Sequence, residues 1–158
     1  MKPPRTPSRM LLFLVALALA GCAGPALKPP TEADFVLYAS TDVNPDAGGR
    51  PSPILLSIYE LRAAGRFTGA DFLALHERAE KTLAADLVRQ EEVFLAPGES
   101  RTLKLRLHEG SRYLGITGSF QRFGEARWRG LAAVPEGRPS RVIVRADTIS
   151  VSVELAGP

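Results

Sequence analysis

A single cysteine, Cys22, is the residue in this sequence whose type and surroundings most directly predict a chemical reaction. The small pair Ala20-Gly21 precedes it and ends an apolar run of eleven residues from Met10 to Ala20. Three basic residues come before that run: Lys2, Arg5 and Arg9. The run is too short to cross a bilayer, which takes about 20 residues, but it suits the centre of a secretory signal. We therefore predict a lipoprotein signal peptide at residues 1–21, with diacylglycerol joined to the Cys22 thiol.

Cysteine usage also favours lipidation over the alternative that Cys22 is a small buried residue behind an ordinary signal peptide. The chain has no second cysteine, so it forms no internal disulfide, and a free thiol is a liability in an oxidising compartment. Several acyl chains hold a protein on a bilayer almost permanently, whereas one holds it only marginally. Ala23 stands where an aspartate is associated with inner-membrane retention in enteric bacteria, so we expect the anchor to lie in the outer membrane, on its periplasmic face.

The other residues that could do chemistry form no catalytic or metal-binding pattern. His76 and His108 have no cysteine or second histidine at ligand spacing. Glu91-Glu92 is a consecutive pair on a predicted strand, so the two side chains point to opposite faces. No serine lies in a G-x-S-x-G nucleophile elbow. We predict no enzyme and no cofactor apart from the lipid; a periplasmic hydrolase would need Glu91, His108 and a neighbouring acid to converge in a cleft.

The charge of the chain changes once the signal peptide is set aside. The whole sequence carries 20 basic and 17 acidic side chains, and residues 1–21 hold three of the basic ones and none of the acidic ones, which leaves 17 of each. Nucleic-acid binding is typical of a basic face or stripe. A neutral mature chain predicts no nucleic-acid partner.

The mature chain divides into a tether and one domain. Residues 22–31, with prolines, a lysine and small residues, are typical of a linker. Residues 32–158 are enough to bury a core without disulfides. Alternation of apolar and polar residues predicts seven or eight strands there, which is typical of a mainly β fold and a β-sandwich. The predicted strands are Ala33–Ser40, Pro53–Leu61, Gln90–Ala96, Ser100–Leu107, Arg112–Phe120, Glu125–Val134 and Arg141–Leu155, the last being either two strands or one with a bulge.

Two further local patterns lie within the domain. Between Arg66 and about Val88 the apolar spacing becomes three or four, which predicts a helical insertion with Thr68 as its N-cap, either continuous or broken near Lys81-Thr82. The tetrad Ala96-Pro97-Gly98-Glu99 predicts a type II turn, and we expect a hairpin there.

Trp128, between Arg127 and Arg129, leaves two interpretations open. It is either a core indole whose neighbouring arginines point outward on the other face, or part of a recognition patch, since Trp and Arg are enriched in binding hot spots. Its burial decides between them. Exposure of Trp128 together with Tyr113 would favour a generic envelope lipoprotein with a carbohydrate-binding or protein-binding sandwich.

The longest connection, Ser40 to Ile54, holds three prolines and two glycines. Each proline restricts its own φ and pushes the preceding residue toward extended conformations. A loop so restricted loses less entropy on binding than a glycine-serine loop. The simpler interpretation is a hairpin loop whose prolines protect a sheet edge.

Six motifs in order give the chain a family resemblance. They are DVNPD, GRPSPILLSIYELR, F-x-x-ADF, LAPGE, YLGITGSF and ARWR, which lie between Asp42 and Arg129. A lipobox, Leu19-Ala20-Gly21-Cys22, lies ahead of these motifs. Together they make the sequence resemble the TssJ family, the outer-membrane lipoproteins of the bacterial type VI secretion system. The resemblance implies a transthyretin-like two-sheet sandwich with a helical insertion between strands 2 and 3, and it matches Cys22 to the acylated cysteine.

The resemblance also implies a partner. In TssJ proteins the loop after strand 1 contacts the periplasmic domain of TssM, an inner-membrane protein that associates with TssL, and so docks the secretion complex to the outer membrane. On this sequence that loop is Thr41 to Ser52, with Asp42, Asn44, Asp46 and Arg50 as its expected polar contacts. The expected partner-binding residues are Asp42, Val43, Asn44, Pro45, Asp46, Gly48, Gly49 and Arg50.

Overall fold

Two four-stranded sheets pack face to face, as the alternating patterns predict. The computed structural model describes residues 31–157; Cys22, the signal peptide and residues 22–30 lie outside the described residues. The strands are β1 (Glu32–Ala39), β2 (Ile54–Leu61), β3 (Leu87–Leu95), β4 (Ser100–Arg106), β5 (Tyr113–Gly118), β6 (Arg129–Ala133), β7 (Ser140–Ala146) and β8 (Val151–Ala156). One sheet has the order β4-β1-β7-β8 and the other β3-β2-β5-β6; we call them the β1 sheet and the β2 sheet. The mainly β, two-sheet fold class is confirmed.

Strand pairing settles the interpretation left open for residues 141–155. They form two strands, β7 and β8, which pair antiparallel with Val142 opposite Leu155. In the β1 sheet β1 pairs in parallel with β7 and antiparallel with β4. The largest shift of a strand start is at β6, which begins at Arg129 and not at Glu125.

The main core lies between the sheets and follows the period of two. Ile54, Leu56 and Ile58 of β2 belong to the same buried cluster as Phe35 and Leu37 of β1. Each such side chain, once fully buried, stabilises the fold by about 1.5–3 kcal/mol. This cluster is what holds the two sheets together in the absence of a disulfide.

The helical insertion between β2 and β3 covers the outer face of the β2 sheet. It consists of α1 (Gly65–Gly69), α2 (Phe72–Leu83) and a short 3-10 turn (Ala84–Asp86). A second buried cluster forms beneath it, in which Phe67 packs on the β2 sheet with Tyr59, Leu75 and Leu83. Gly115 of β5 permits this packing, because a Cβ there would lie 2.7 Å from the Phe67 ring.

The predicted start of the helix was wrong. Asp71, not Thr68, is the N-cap of α2, and its carboxylate accepts a hydrogen bond from the Ala74 N–H at 2.8 Å. The Thr68 hydroxyl instead donates to the Ala64 carbonyl within α1. The capping pattern S/T-x-x-acid was therefore matched at the wrong residue, since an aspartate is itself a strong N-cap.

The break in the insertion also lies elsewhere than predicted. The two helices separate at residues 70–71, and α2 has a kink at Arg78, whose φ and ψ are −142° and 39°. The Thr82 hydroxyl donates to the Ala74 carbonyl at 2.9 Å. That carbonyl would bond the Arg78 N–H in a regular helix, so Thr82 satisfies the group that the kink releases.

The predicted hairpin at residues 96–99 was wrong, although its turn is present. Gly98 has φ of 77° and the Glu99 N–H donates to the Ala96 carbonyl at 2.9 Å, as a type II turn requires. However, β3 pairs with β2 and β4 pairs with β1, so the turn passes from one sheet to the other. Two-residue hairpins favour the primed turns that match strand twist, and an unprimed turn splays its strands apart.

The strand directions place every connection at one of two ends of the sandwich. The end reached by β1, which we call the loop pole, carries residues 40–53, 96–99, 119–128 and 147–150. The opposite end, which we call the tether pole, carries Thr31 and residues 62–64, 107–112, 134–139 and 156–157. Chain entry and the longest connection therefore lie at opposite ends of the domain.

Candidate functional site

The four connections of the loop pole are hydrogen-bonded to one another. The Gly98 N–H donates to the Ser40 carbonyl at 3.1 Å, and the Asn44 N–H donates to the Thr148 carbonyl at 2.9 Å. The Gln121 N–H donates to Asn44 Oδ1 at 2.8 Å. The β1–β2 connection is thus fastened to each of the other three connections of the pole.

Asn44 holds the base of the β1–β2 connection from inside. Its residue surface is only 4% exposed, and its amide donates to the Pro53 carbonyl at 2.8 Å while it accepts from Gln121. Its φ of 51° lies in the left-handed region, which asparagine tolerates better than most residues. The structure therefore turns Asn44 away from any partner, and its side chain acts on the loop.

The neighbours of Asn44 are buried as well. Val43 is fully buried in the core between the sheets, and Pro45 is also buried. These two side chains fix the loop to the sandwich as Asn44 does. Three of the eight predicted partner-binding residues thus form the base of the loop.

Residues Asp46–Arg50 form a closed tip beyond this base. Asp46 Oδ1 accepts from the Gly48 N–H at 2.8 Å and from the Arg50 N–H at 3.0 Å. Asp46 Oδ2 accepts from Arg50 Nε at 2.8 Å, and the Asp46 N–H donates to the Arg50 carbonyl at 2.9 Å. These bonds, with the backbone N–H of Arg50 contributing most and its guanidinium next, lower the pKa of the Asp46 carboxyl. The carboxylate of Asp46 is consequently occupied within the tip.

Asp42 is engaged in the same way. The Thr148 hydroxyl donates to its carboxylate at 2.5 Å, and this bond is the main cause that lowers the pKa of Asp42. The exposed part of the tip is residues 47–50, and the Arg50 side chain remains 85% exposed although it is paired with Asp46. The exposed prolines Pro51 and Pro53 continue this surface.

Trp128 is half-buried and its surroundings correct part of the first interpretation. Phe72 meets the indole edge-on at 5.3 Å, and the Arg129 guanidinium lies 4.8 Å above its ring. Arg129 does not point outward, because its guanidinium donates to the Phe67 and Ala70 carbonyls at 3.0 and 2.8 Å. Tyr113 is half-buried too, so Trp128 and Tyr113 are not exposed together.

A polar cluster that the sequence reading missed lies at the tether pole around Glu60. This carboxylate is 2% exposed, and its Oε2 accepts from the His108 N–H at 3.0 Å and from the Ser111 hydroxyl at 3.1 Å. His108 Nδ1 also lies 3.2 Å from Oε2, and Arg89 Nε lies 3.8 Å from Oε1. The sequence does indicate that Glu60 is buried, because it continues the inward-facing row of Ile54, Leu56 and Ile58 on β2.

The geometry of this cluster is not that of a nucleophilic triad. Ser111 and His108 both bond the same oxygen of Glu60, so the histidine is not placed as a base for the serine. Glu91 is turned to Arg89, whose NH2 lies 2.7 Å from its carboxylate. Within residues 31–157, no group of three or more His, Cys, Asp or Glu side chains could hold a metal ion.

The fold and the loop pole define a class of protein: a two-sheet sandwich with a helical insertion and a long, internally closed loop after its first strand. The sequence matches the family described as "Type VI secretion lipoprotein, VasD, EvfM, TssJ, VC_A0113" over residues 31–156. The chain therefore belongs to this family, the TssJ lipoproteins of the type VI secretion system. The family is a structural component of that system and is anchored in the cell envelope.

Solved structures agree with this membership. The T6SS lipoprotein TssJ1 from Pseudomonas aeruginosa is 34% identical with a TM-score of 0.79, covering 82% of this chain and 99% of that one. Serratia marcescens Lip, a membrane bound component of the Type VI Secretion System, is 24% identical with a TM-score of 0.72, covering 82% and 98%.

A third match extends the likeness of fold. A chain in the structure of the T6SS protein TssM C-terminal domain (869-1107) from EAEC is 21% identical with a TM-score of 0.62, covering 80% of this chain and 98% of that one. A comparison with curated protein sequences found no match. In the described part of the chain, no helix is both long enough and apolar enough to cross a membrane.

Proposed function

We propose that this protein is an outer-membrane lipoprotein, anchored through acylated Cys22, that binds the periplasmic domain of TssM with the loop Thr41 to Ser52. TssL then associates indirectly, through TssM. The observation that carries the proposal is the closed tip Asp46–Arg50, held at the pole opposite chain entry. Family membership supplies the secretion system in which such a contact has a use.

The arrangement of the two poles supports an anchor at one end and a contact at the other. The eight residues of β1 separate chain entry from the loop by about 26 Å. The ten residues 22–31 span at most about 35 Å. A lipid on Cys22 would therefore keep chain entry within about 35 Å of the bilayer, and chain entry lies at the pole opposite the loop.

Rigidity of the loop supports binding over turnover. A loop that is ordered only on binding costs about 0.5–1.5 kcal/mol for each side chain it immobilises. Here Asp46 and Arg50 are already paired and Asn44 already holds the base, so little ordering remains. The Arg50 guanidinium, which is 85% exposed, can then bond carboxylate or carbonyl groups of TssM.

The experiment replaces Asp46-Ala47-Gly48-Gly49 with a two-residue turn in the full-length lipoprotein, purified in detergent. We expect loss of binding to the TssM periplasmic domain of the same genome in calorimetry, with an unchanged cooperative melt. A matched control replaces the exposed Pro135-Glu136-Gly137-Arg138 connection at the tether pole in the same way and should bind normally. Unchanged affinity of the loop-shortened protein would refute the proposal.

The anchor is tested separately with Cys22→Ser. We expect the variant to lose incorporation of labelled palmitate and to leave the outer-membrane fraction, because its hydroxyl does not receive the diacylglycerol that the thiol receives. Its affinity for TssM in solution should not change, since the loop pole is untouched. Retention of the variant in the outer-membrane fraction would contradict the lipid anchor.

A further inference from the structure

An exposed apolar surface adjoins the loop pole on the side of the helical insertion. Phe123 is 39% exposed and Leu73 is 46% exposed, and together with Phe72 and His76 they form what we call the aromatic corner. Phe72 is stacked on Phe123 at 4.8 Å and on His76 at 5.3 Å, with interplanar angles of 18° and 11°. Phe72, His76 and Phe123 therefore form an ordered stack, and Leu73 is the exposed neighbour of Phe72 in α2.

Phe123 packs on the buried Phe72 and leaves 39% of its own surface exposed. It lies in the tight turn of residues 121–125, in which the Glu125 N–H donates to the Arg122 carbonyl at 3.0 Å. The side chains of Arg122 and Glu125 lie 3.5 Å apart and largely neutralise each other. The two charged side chains of this turn thus pair with each other, while part of the phenyl ring is exposed to solvent.

The corner is continuous with the β1–β2 loop. The turn that carries Phe123 is bonded to Asn44 through the Gln121 N–H at 2.8 Å, two residues from the closed tip. On the other side, the Ser119 hydroxyl lies 3.5 Å from His76 Nδ1, which ties the start of the same connection to α2. The connection that carries Phe123 is therefore bonded both to the base of the β1–β2 loop and to α2.

The corner and the point of chain entry lie at opposite ends of the domain. Thr31, where the described chain begins, lies at the tether pole, whereas Phe123 belongs to a connection of the loop pole. The corner is therefore presented on the side of the loop that the proposed function assigns to TssM.

Resting on the proposed function, we infer that the aromatic corner is the apolar half of the TssM-binding site. The loop tip supplies hydrogen bonds, and the corner supplies an exposed apolar stack for an apolar side chain of the TssM periplasmic domain. Aromatic residues are enriched at the centres of protein interfaces, and a few of them carry most of the binding energy. The partner surface must therefore combine hydrogen-bonding groups for the tip with a protruding aliphatic or aromatic side chain for the corner.

The test measures binding of the full-length lipoprotein, in detergent, to the TssM periplasmic domain by calorimetry. We expect Phe123→Ser and Leu73→Ser each to weaken binding about tenfold or more, as loss of hot-spot residues does. Phe123→Leu should retain most of the affinity, since it keeps an apolar side chain. Leu155→Ser is the matched control, because Leu155 is 36% exposed but lies near the tether pole, and it should bind normally.

The outcomes separate this inference from the proposed function. Normal binding by Phe123→Ser and Leu73→Ser, with lost binding by the loop-shortened protein, would overturn the inference and leave the proposed function standing. A dimer seen by light scattering that Leu73→Ser dissolves would also overturn it, because a second copy would then occupy the corner. No binding by the unmodified protein would overturn both. Thermal melts of each variant exclude unfolding as the cause.

Discussion

The two poles of the sandwich each centre on a carboxylate, but they use it in opposite ways. At the loop pole Asp46 remains partly exposed, and all its hydrogen-bond donors lie within four residues of it in sequence. At the tether pole Glu60 is buried, and its donors lie 48 and 51 residues away. The first arrangement shapes a loop locally, whereas the second joins distant parts of the chain.

This difference predicts where the fold tolerates substitutions: we expect tolerance in the loop tip and little tolerance around Glu60. Loop 107–112 contains His108 and Ser111, the donors to Glu60. A buried carboxylate left without its donors carries a desolvation cost of several kcal/mol, so the stability of the domain depends on this loop. The exposed tip can exchange its internal hydrogen bonds for hydrogen bonds with water, at little cost to the stability of the domain. The proposed partner surface therefore lies where substitutions are expected to leave the protein folded.

The largest effect is expected when the buried carboxylate is removed. Glu60→Ala leaves the His108 N–H and the Ser111 hydroxyl without an acceptor and should lower the free energy of unfolding by about 3 kcal/mol in urea denaturation. Glu60→Gln, which keeps an acceptor oxygen in the same place, should cost less. The TssM affinity of the folded fraction should not change, and a loss of affinity in Glu60→Gln would show that the poles are coupled.

An intermediate effect is expected at Asn44, which is buried but belongs to the loop pole. Asn44→Ala removes the bonds to Pro53 and Gln121 and leaves a non-glycine residue at φ of 51°, which should cost about 2–3 kcal/mol of unfolding free energy. Asn44→Gly restores the backbone freedom but not the bonds, so it should cost about 1 kcal/mol less. Both variants should weaken TssM binding, and normal binding by Asn44→Gly would mean that the tip needs no support from its base.

The smallest effect is expected at Asp46. Asp46→Ala should leave the thermal melt unchanged and weaken TssM binding by about threefold to tenfold, because the tip would have to be ordered on binding. Asp147→Ala, at an exposed acid of the same pole outside the tip, is the control and should bind normally. Equal affinities of the two variants would show that the closed tip contributes nothing.

The pH dependence of TssM binding also tests the role of the Asp46 carboxylate. The pKa of Asp46 is lowered by Arg50, so its folded pKa lies below the ordinary value of 3.8. The order that the carboxylate gives to the tip is therefore fully present above that value and is lost as the pH falls through the folded pKa. TssM affinity should stay constant from about pH 7 to about pH 5, and a loss within that window would assign the titration to another group.

Periodic patterns predicted the sheets well, because a half-buried strand imposes its alternation on the sequence directly. The inward row of β2 and the turn with Gly98 were both readable. The partner of a strand was not, and β3 and β4 were assigned to one hairpin although they lie in different sheets. Strand pairing depends on which apolar faces meet in space, and local spacing carries no record of that.

The predicted loop residues divide in a way that no local rule indicated. The sequence identified Thr41 to Ser52 as a stiff and distinctive connection, but it gave Val43, Asn44 and Pro45 the same standing as Asp46 and Arg50. Only burial separates them into a base and a tip. The aromatic corner was equally hidden, because Phe123 and Phe72 lie 51 positions apart in sequence and meet only in the folded domain.

The sequence by itself determined the fold class and the family, because alternation and ordered motifs are written in neighbouring residues. It also predicted a lipidated Cys22, for the same reason. Only the tertiary structure decided which polar groups are hydrogen-bonded inside the protein and which are exposed at its surface. The carboxylates of Glu60 and Asp46 look alike in the sequence, and it is their distance from solvent and from their donors that makes one part of the core and the other part of a surface.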